Sequence, residues 1–305
     1  MTPLVYAWPG NEPLAAALAA RSGGEVAPLS LRRFPDGETY VRLMTPPDGR
    51  EVVLACTLDH PDDKINGLLF AADAARELGA RRVGLVAPYL AYMRQDARFE
   101  PGEAITSRTF ARMISNAFDW LVTMDPHLHR YRALGEIYSI PASIAASATA
   151  IAGWLGSHVE RPLVIGPDAE SAQWAAAIAQ GAGAPFVVLQ KERRGDRDVA
   201  VSVPDITAWP RHTPVLVDDI ISTARTMIAA VRRLHERAAP APVCIGVHAL
   251  FGGDALEALR ASGPRTIATC NTIRHATNAI DVASEIADAA AGAMRAPATS
   301  PATRS

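Results

Sequence analysis

The sequence carries only three cysteines, Cys56, Cys244 and Cys270, each in an apolar, β-rich context. No pair has the spacing of a metal site, which excludes a disulfide framework and a zinc ribbon alike. The three read as buried thiols in a reducing compartment. An excess of one charge is also missing. Lys and Arg number 30 against 32 Asp and Glu, for a formal net charge of -2. Neither nucleic acid nor an anionic membrane is expected as a partner. No apolar run reaches the ~18–20 residues that a spanning helix needs. The opening MTPLVYAWPGNEP has neither a basic region nor a long apolar core, so no leader is expected. The expectation is a soluble, cytoplasmic protein.

What is present is ordinary globular usage: 305 residues, 49% apolar and 20% charged, enough for about two domains. Apolar runs that read as strands recur at 52–58, 82–89, 120–125, 162–166, 186–189, 214–217, 243–250 and 266–270. Few of them alternate with polar residues. Continuous apolar strands imply cover on both faces, as in a parallel sheet. Between them, stretches at 64–78, 106–118, 145–156, 171–180, 226–235 and 253–261 place apolar or alanine positions at helical spacing. Strand and helix in alternation predict an α/β fold. The region 134–162 is a plausible boundary, giving α/β domains over 1–145 and 146–285. From 286 to 305 the chain turns to Ala, Pro, Ser and Thr, and a mobile tail that buries little is expected.

The most informative segment follows the run at 214–217. Asp218 and Asp219 come first, then Ser222, Thr223, Ala224, Arg225 and Thr226, then a helix pattern through Met227, Val231 and Leu234. Ligands of open parallel sheets bind beyond the carboxyl ends of strands. Backbone N–H groups at a helix start favour an anion. The hydroxyls and Arg225 add donors, and the two carboxylates suit sugar hydroxyls or a divalent cation. A sugar phosphate fits this segment. The plainer alternative is a helix N-cap, with Ser222 or Thr223 capping and the aspartates offsetting the dipole.

This loop resembles the ribose-5-phosphate loop of the ribose-phosphate pyrophosphokinases, which they share with the type I phosphoribosyltransferases. Three further segments separate the two. Phe34-Pro35-Asp36-Gly37-Glu38 is similar to the family's nucleotide-site loop. Pro88-Tyr89-Leu90-Ala91-Tyr92-Met93-Arg94-Gln95-Asp96 resembles its ATP-site strand and loop, and Thr123-Met124-Asp125-Pro126-His127 its metal-histidine segment. Asn271-Thr272-Ile273 also fits, and the loops lean toward the archaeal variety. The resemblance implies two similar phosphoribosyltransferase-type (Rossmann-like) domains, each a mostly parallel sheet flanked by helices.

It also implies roles. ATP and ribose 5-phosphate are the substrates, and Mg²⁺ accompanies ATP. Phe34, Asp36, Glu38, Arg94, Gln95, Asp96 and Arg98 are placed around ATP. In the family the Phe34 loop reaches a neighbouring subunit, which implies a homo-oligomer with a shared ATP site. His127 and Asp168 are the implied metal contacts, and Arg94 and His127 lie near the reacting phosphates. Lys191 and Arg193, in the basic run Lys191-Glu192-Arg193-Arg194-Gly195-Asp196-Arg197, are the implied catalytic cations; a solvated charged hairpin is the plain alternative. Asp218, Asp219 and residues 222–226 take ribose 5-phosphate. Ala224 and Arg225 depart from the family's usual small residues. A phosphoribosyltransferase and a non-catalytic regulatory subunit are the competing functions.

Overall fold

The computed structural model describes residues 1–167, 172–193, 199–202 and 205–297, with 190–193 and 199–202 as backbone only. The chain forms two compact units. One is Met1–Ala145 together with the segment from Ala283; the other is Ala146–Val282.

In the first unit, β1 (Leu4–Ala7), β2 (Glu25–Ala27), β5 (Glu51–Ala55), β6 (Arg82–Ala87), β7 (Trp120–Met124) and β8 (Ala142–Ala145) form one six-stranded sheet. Its order is β2-β1-β5-β6-β7-β8, and every pair is parallel. Strands β5, β6 and β7 are buried at every residue, as their unbroken apolar runs predict. Helices α1 (Glu12–Ser22), α2 (Ile65–Glu77) and α3 (Thr106–Ala117) connect them. A separate antiparallel hairpin, β3 (Leu29–Arg33) with β4 (Thr39–Leu43), stands outside the sheet.

In the second unit, β9 (Pro162–Gly166), β10 (Phe186–Val188), β13 (Thr213–Ile221), β14 (Val243–Ala249), β15 (Thr266–Cys270) and β16 (Asn278–Ile280) form a second parallel sheet. Its order is β10-β9-β13-β14-β15-β16, so the strand order reverses between β9 and β13. Helices α4 (Ala148–His158), α5 (Ala172–Gly181), α6 (Arg225–Glu236) and α7 (Ala255–Ala261) belong to this unit. A two-stranded hairpin pairs β11 (Gln190–Arg193) with β12 (Val199–Ser202). The three thiols are free and buried, and burial pushes the Cys244 thiol up to about 12.

The expectation of a mobile tail from 286 is corrected. Residues Ala283–Arg295 form helix α8, which buries Ile286, Ala287, Ala290, Ala291 and Ala293. It packs on α1, β7 and β8, returning the chain to the first unit, so the second unit ends at Val282. Alanine is the strongest helix former, and its small side chain buries well at helical spacing. Arg82 on β6 donates to the carbonyls of Ala293 (3.0 Å) and Ala296 (2.7 Å), satisfying the helix's C-terminal acceptors. Residues 298–305 lie outside the described residues.

Candidate active site

Strand β13 outruns its neighbour. It pairs with β9 only as far as Leu216, while its pairing with β14 continues to Ile221. Asp218 and Asp219 therefore lie within the strand, past the end of β9, and not in the loop expected after Val217. Ile220 and Ile221 are β-branched and hold the extended form. Gly246 on β14 makes room for Ile221: a Cβ there would stand 2.6 Å from its side chain. The carboxylates thus sit beside the point where strand order reverses, where open α/β sheets take their ligands.

The turn from β13 into α6 is short. Its N-cap residue is Ala224 in the left-handed region (φ 56), with no side-chain cap, and the first helical turn holds no acid. This excludes the plain N-cap alternative, since neither Ser222 nor Thr223 occupies the capping position. Ala224 has no side-chain acceptor of its own to offer the first N–H groups of α6. Arg225, exposed at the first helical position, adds positive charge. Such a terminus suits an anion. Ser222 and Thr226 are partly buried, Thr223 is exposed and Ala224 is buried against the core. Asp219 accepts from the N–H of Ile220 (2.8 Å), which fixes its carboxylate.

In the first unit the expected nucleotide residues fall on three loops. Arg94 is exposed and Gln95 half-buried in the turn after β6. Asp96 has another place: it is 5% exposed and accepts from Arg130 at 2.7 Å, anchoring the loop from within. Arg98 donates to the carbonyl of Glu103 (2.9 Å), and the Glu103 carboxylate accepts from the N–H groups of Phe99 and Glu100. These bonds shape the 98–103 turn. His127, after β7, is half-buried, with its ring 6.0 Å from that of His129.

Phe34, Asp36 and Glu38 form the tip of the β3–β4 hairpin. Asp36 accepts from the Glu38 N–H (3.2 Å), and Gly37 (φ 96) makes the turn. Phe34 is 38% exposed, its ring edge-on to Tyr40, with the Arg32 guanidinium 4.5 Å from one ring and 4.1 Å from the other.

Sequence reasoning overlooked the 3₁₀ turn Pro61–Asp63. Asp62 accepts from the Tyr92 hydroxyl, and Asp63 pairs with Arg33 at 3.1 Å. One short turn is thereby tied to both the Arg94 loop and the Phe34 hairpin. A polar turn after an apolar strand is too common to have signalled this.

Lys191 and Arg193 lie on β11, paired in backbone with Val201 and Val199. Asp168 lies outside the described residues. Among the described residues no group of three or more His, Cys, Asp or Glu could hold a metal ion, and no helix is long and apolar enough to cross a membrane. A cavity of about 650 Å³ opens at the other end of β13, lined by Leu163, Ile206, Trp209, His212, Arg237 and Pro240 among others. It includes none of the expected site residues.

Known proteins decide between the readings of this architecture. Residues 4–117 match the family model of the N-terminal domain of ribose phosphate pyrophosphokinase, and residues 133–285 that of the phosphoribosyl transferase domain. A ribose-phosphate pyrophosphokinase from Methanopyrus kandleri is 35% identical over 278 residues, 90% of this chain and 94% of that protein. The chain belongs to the ribose-phosphate pyrophosphokinase family. The Halobacterium salinarum protein of the same name is 32% identical over 281 residues, covering 92% of this chain and 97% of its own. The crystal structure of the Mycobacterium smegmatis phosphoribosylpyrophosphate synthetase superposes with a TM-score of 0.81 at 23% identity, over 96% of this chain and 99% of that one. That likeness carries the fold: two phosphoribosyltransferase-like α/β domains with parallel sheets. The lean toward archaeal relatives agrees with both of the sequence relatives named.

Proposed function

We propose that the chain moves the β,γ-diphosphoryl group of ATP onto the anomeric hydroxyl of ribose 5-phosphate, giving phosphoribosyl pyrophosphate and AMP. The hydroxyl oxygen attacks the β-phosphorus, the bond from that phosphorus to the α–β bridging oxygen breaks, and AMP carries that oxygen away. One observation supports the acceptor assignment above others. The N-cap residue of α6 gives no side-chain cap, and the helix follows two carboxylates near the end of a parallel strand with only a short turn between. The 5-phosphate takes the N–H groups and hydroxyls of residues 222–226, and Asp218 and Asp219 face the ribose hydroxyls.

Phosphoryl transfer demands positioning and charge more than covalent chemistry. Arg94, on its exposed turn, binds the nucleotide phosphates, and Lys191 with Arg193 offsets the negative charge that the moving group carries. Phe34 offers a ring face to adenine, with Asp36, Glu38, Gln95 and Arg98 around it; its place on a hairpin outside the sheet supports a site shared between copies of the chain. Asp96 acts through the loop that it anchors. Mg²⁺ would arrive on ATP, since this ion keeps water and phosphate ligands and asks for one or two protein groups. His127 and Asp168 would hold it, and the bound ion would neutralise phosphate charge.

The decisive assay is AMP release from Mg²⁺–ATP with and without ribose 5-phosphate. Release that depends on the sugar supports the reading, and none would refute it for this acceptor. Pyrophosphate release that requires a purine or pyrimidine base would favour a phosphoribosyltransferase.

A further inference from the structure

The turn between β13 and α6 lacks a side-chain cap, so its pose depends on what braces it from behind. That brace is the turn after β14. The N–H groups of Leu250 and Phe251 both donate to the carbonyl of Ile221, at 3.1 and 2.9 Å, and the N–H of Gly252 donates to the carbonyl of Ser222 at 3.1 Å. Residues 221 and 222 are the last fixed points before the left-handed Ala224. Phe251, in the middle of the brace, is itself left-handed (φ 34). A bulky residue keeps that conformation only where its surroundings impose it.

Phe251 packs against the core on one side, and His275 is the ring that covers it. Its ring stacks on Phe251 with centroids 4.8 Å apart and planes 24° from parallel. His275 is held in turn. Its Nδ1 accepts from the Thr277 N–H (3.3 Å) and lies 2.8 Å from the Thr277 hydroxyl. Because a backbone N–H can only donate, Nδ1 is the unprotonated nitrogen. The Thr277 hydroxyl lies 2.8 Å from that of Thr269, and Thr269 and Thr277 are 0% and 7% exposed. The Asn278 side chain closes the set, accepting from the His275 N–H (2.8 Å) and donating to Thr269 (3.0 Å). A rigid, satisfied polar group at the β15–β16 edge thus fixes a ring, the ring fixes a strained turn, and the turn fixes two carbonyls of the acceptor loop.

We infer that Phe251 and His275 are positioning residues for the sugar phosphate: neither contacts it, and both hold the strand end and loop in the pose that receives it. The inference rests on the reading that residues 218–226 bind ribose 5-phosphate. Binding loops tolerate little displacement, since a shift of about 1 Å can cost up to ~100-fold.

The test compares Phe251→Ala, His275→Ala and His275→Phe with the loop variant Thr226→Ala. It measures the Michaelis constants for ribose 5-phosphate and ATP, kcat, and the melting temperature. Phe251→Ala and His275→Ala should each raise the ribose 5-phosphate constant about tenfold and leave that of ATP unmoved. His275→Phe keeps a ring on Phe251 and should stay near the parent. If Phe251→Ala fails to fold, the two His275 variants decide alone. Unchanged acceptor constants in the Phe251 and His275 variants, with a raised one in Thr226→Ala, would overturn the brace and keep the loop assignment. Parallel rises for both substrates with a lower melting temperature would show general loosening and overturn it too. No effect of Thr226→Ala on ribose 5-phosphate would instead overturn the acceptor reading beneath it.

Discussion

Replacing Gly84 by alanine tests how tightly the first unit is built around its sheet. A Cβ at residue 84 would stand 2.0, 2.1 and 2.5 Å from three ring carbons of Trp120 on the neighbouring strand. Unbonded carbons rest about 3.5–4.0 Å apart, so the indole would have to retreat by roughly 1.5 Å. It has nowhere easy to go. Trp120 is 1% exposed, and its N–H donates to the Glu51 carboxylate at 2.9 Å. Glu51 is 3% exposed and also pairs with Arg81 (3.0 Å) and Arg82 (3.3 Å). Overpacking a core costs about 1–3 kcal/mol, and losing a hydrogen bond to a charged group about 1.5–3 kcal/mol. Together Gly84→Ala should cost about 3–5 kcal/mol, which lowers the melting temperature by about 10 °C in a domain of this size. Scanning calorimetry and urea titration measure both. A loss below about 1 kcal/mol would refute the reasoning, because it would mean that the indole relocates freely.

Tyr92→Phe removes the hydroxyl that donates to Asp62 and holds a left-handed residue (φ 61) two positions before Arg94. The Michaelis constant for ATP should rise several-fold and that for ribose 5-phosphate should stay; since burial and Asp62 push the Tyr92 pKa up to about 12, the effect should not vary with pH in the neutral range. Burial, then Arg260, lower the His275 pKa below its ordinary 6.5, against a smaller opposing pull from Glu257. The unfolded chain therefore binds the proton more readily, so the contribution of His275 to stability is full above about 6.5 and falls as the pH drops toward the depressed folded value. Urea titrations at stepped pH should show that slope in the parent and lose it in His275→Phe. Lys191→Ala should lower kcat by about a hundredfold or more while ATP binding, followed by calorimetry, holds; turnover equal to the parent would remove Lys191 from the chemistry.

Much of the architecture was legible because burial on both faces leaves unbroken apolar runs. Strands β5, β6, β7, β9 and β14 are such runs, and the helices between them keep helical spacing. The β3–β4 hairpin is hard to read as strands, since its exposed residues include Arg32, Arg33 and Arg42. Helix α8 is hidden in the sequence because alanine-rich segments resemble low-complexity chain in composition, whereas alanines three or four apart pack closely. In the candidate site, Asp218, Asp219 and the turn that follows were visible as a local pattern. The extent of β13 was not, because two acids suggest a loop until the β-branched Ile220 and Ile221 are weighed. Partners distant in sequence left no local trace. Arg130 holds Asp96 from 34 residues away, and the bond from Tyr92 to Asp62 spans 30.

The return of α8 to the first unit has a consequence for how the chain is made. On the ribosome, residues 1–145 emerge early but lack the helix that covers α1, β7 and β8. Arg82 has no helix end to satisfy, and Arg21 lacks its partner Asp288, until the whole intervening unit has been synthesised. The first unit therefore cannot be closed until the second has been made. A chain released after residue 282 would carry a complete second unit and an open first unit.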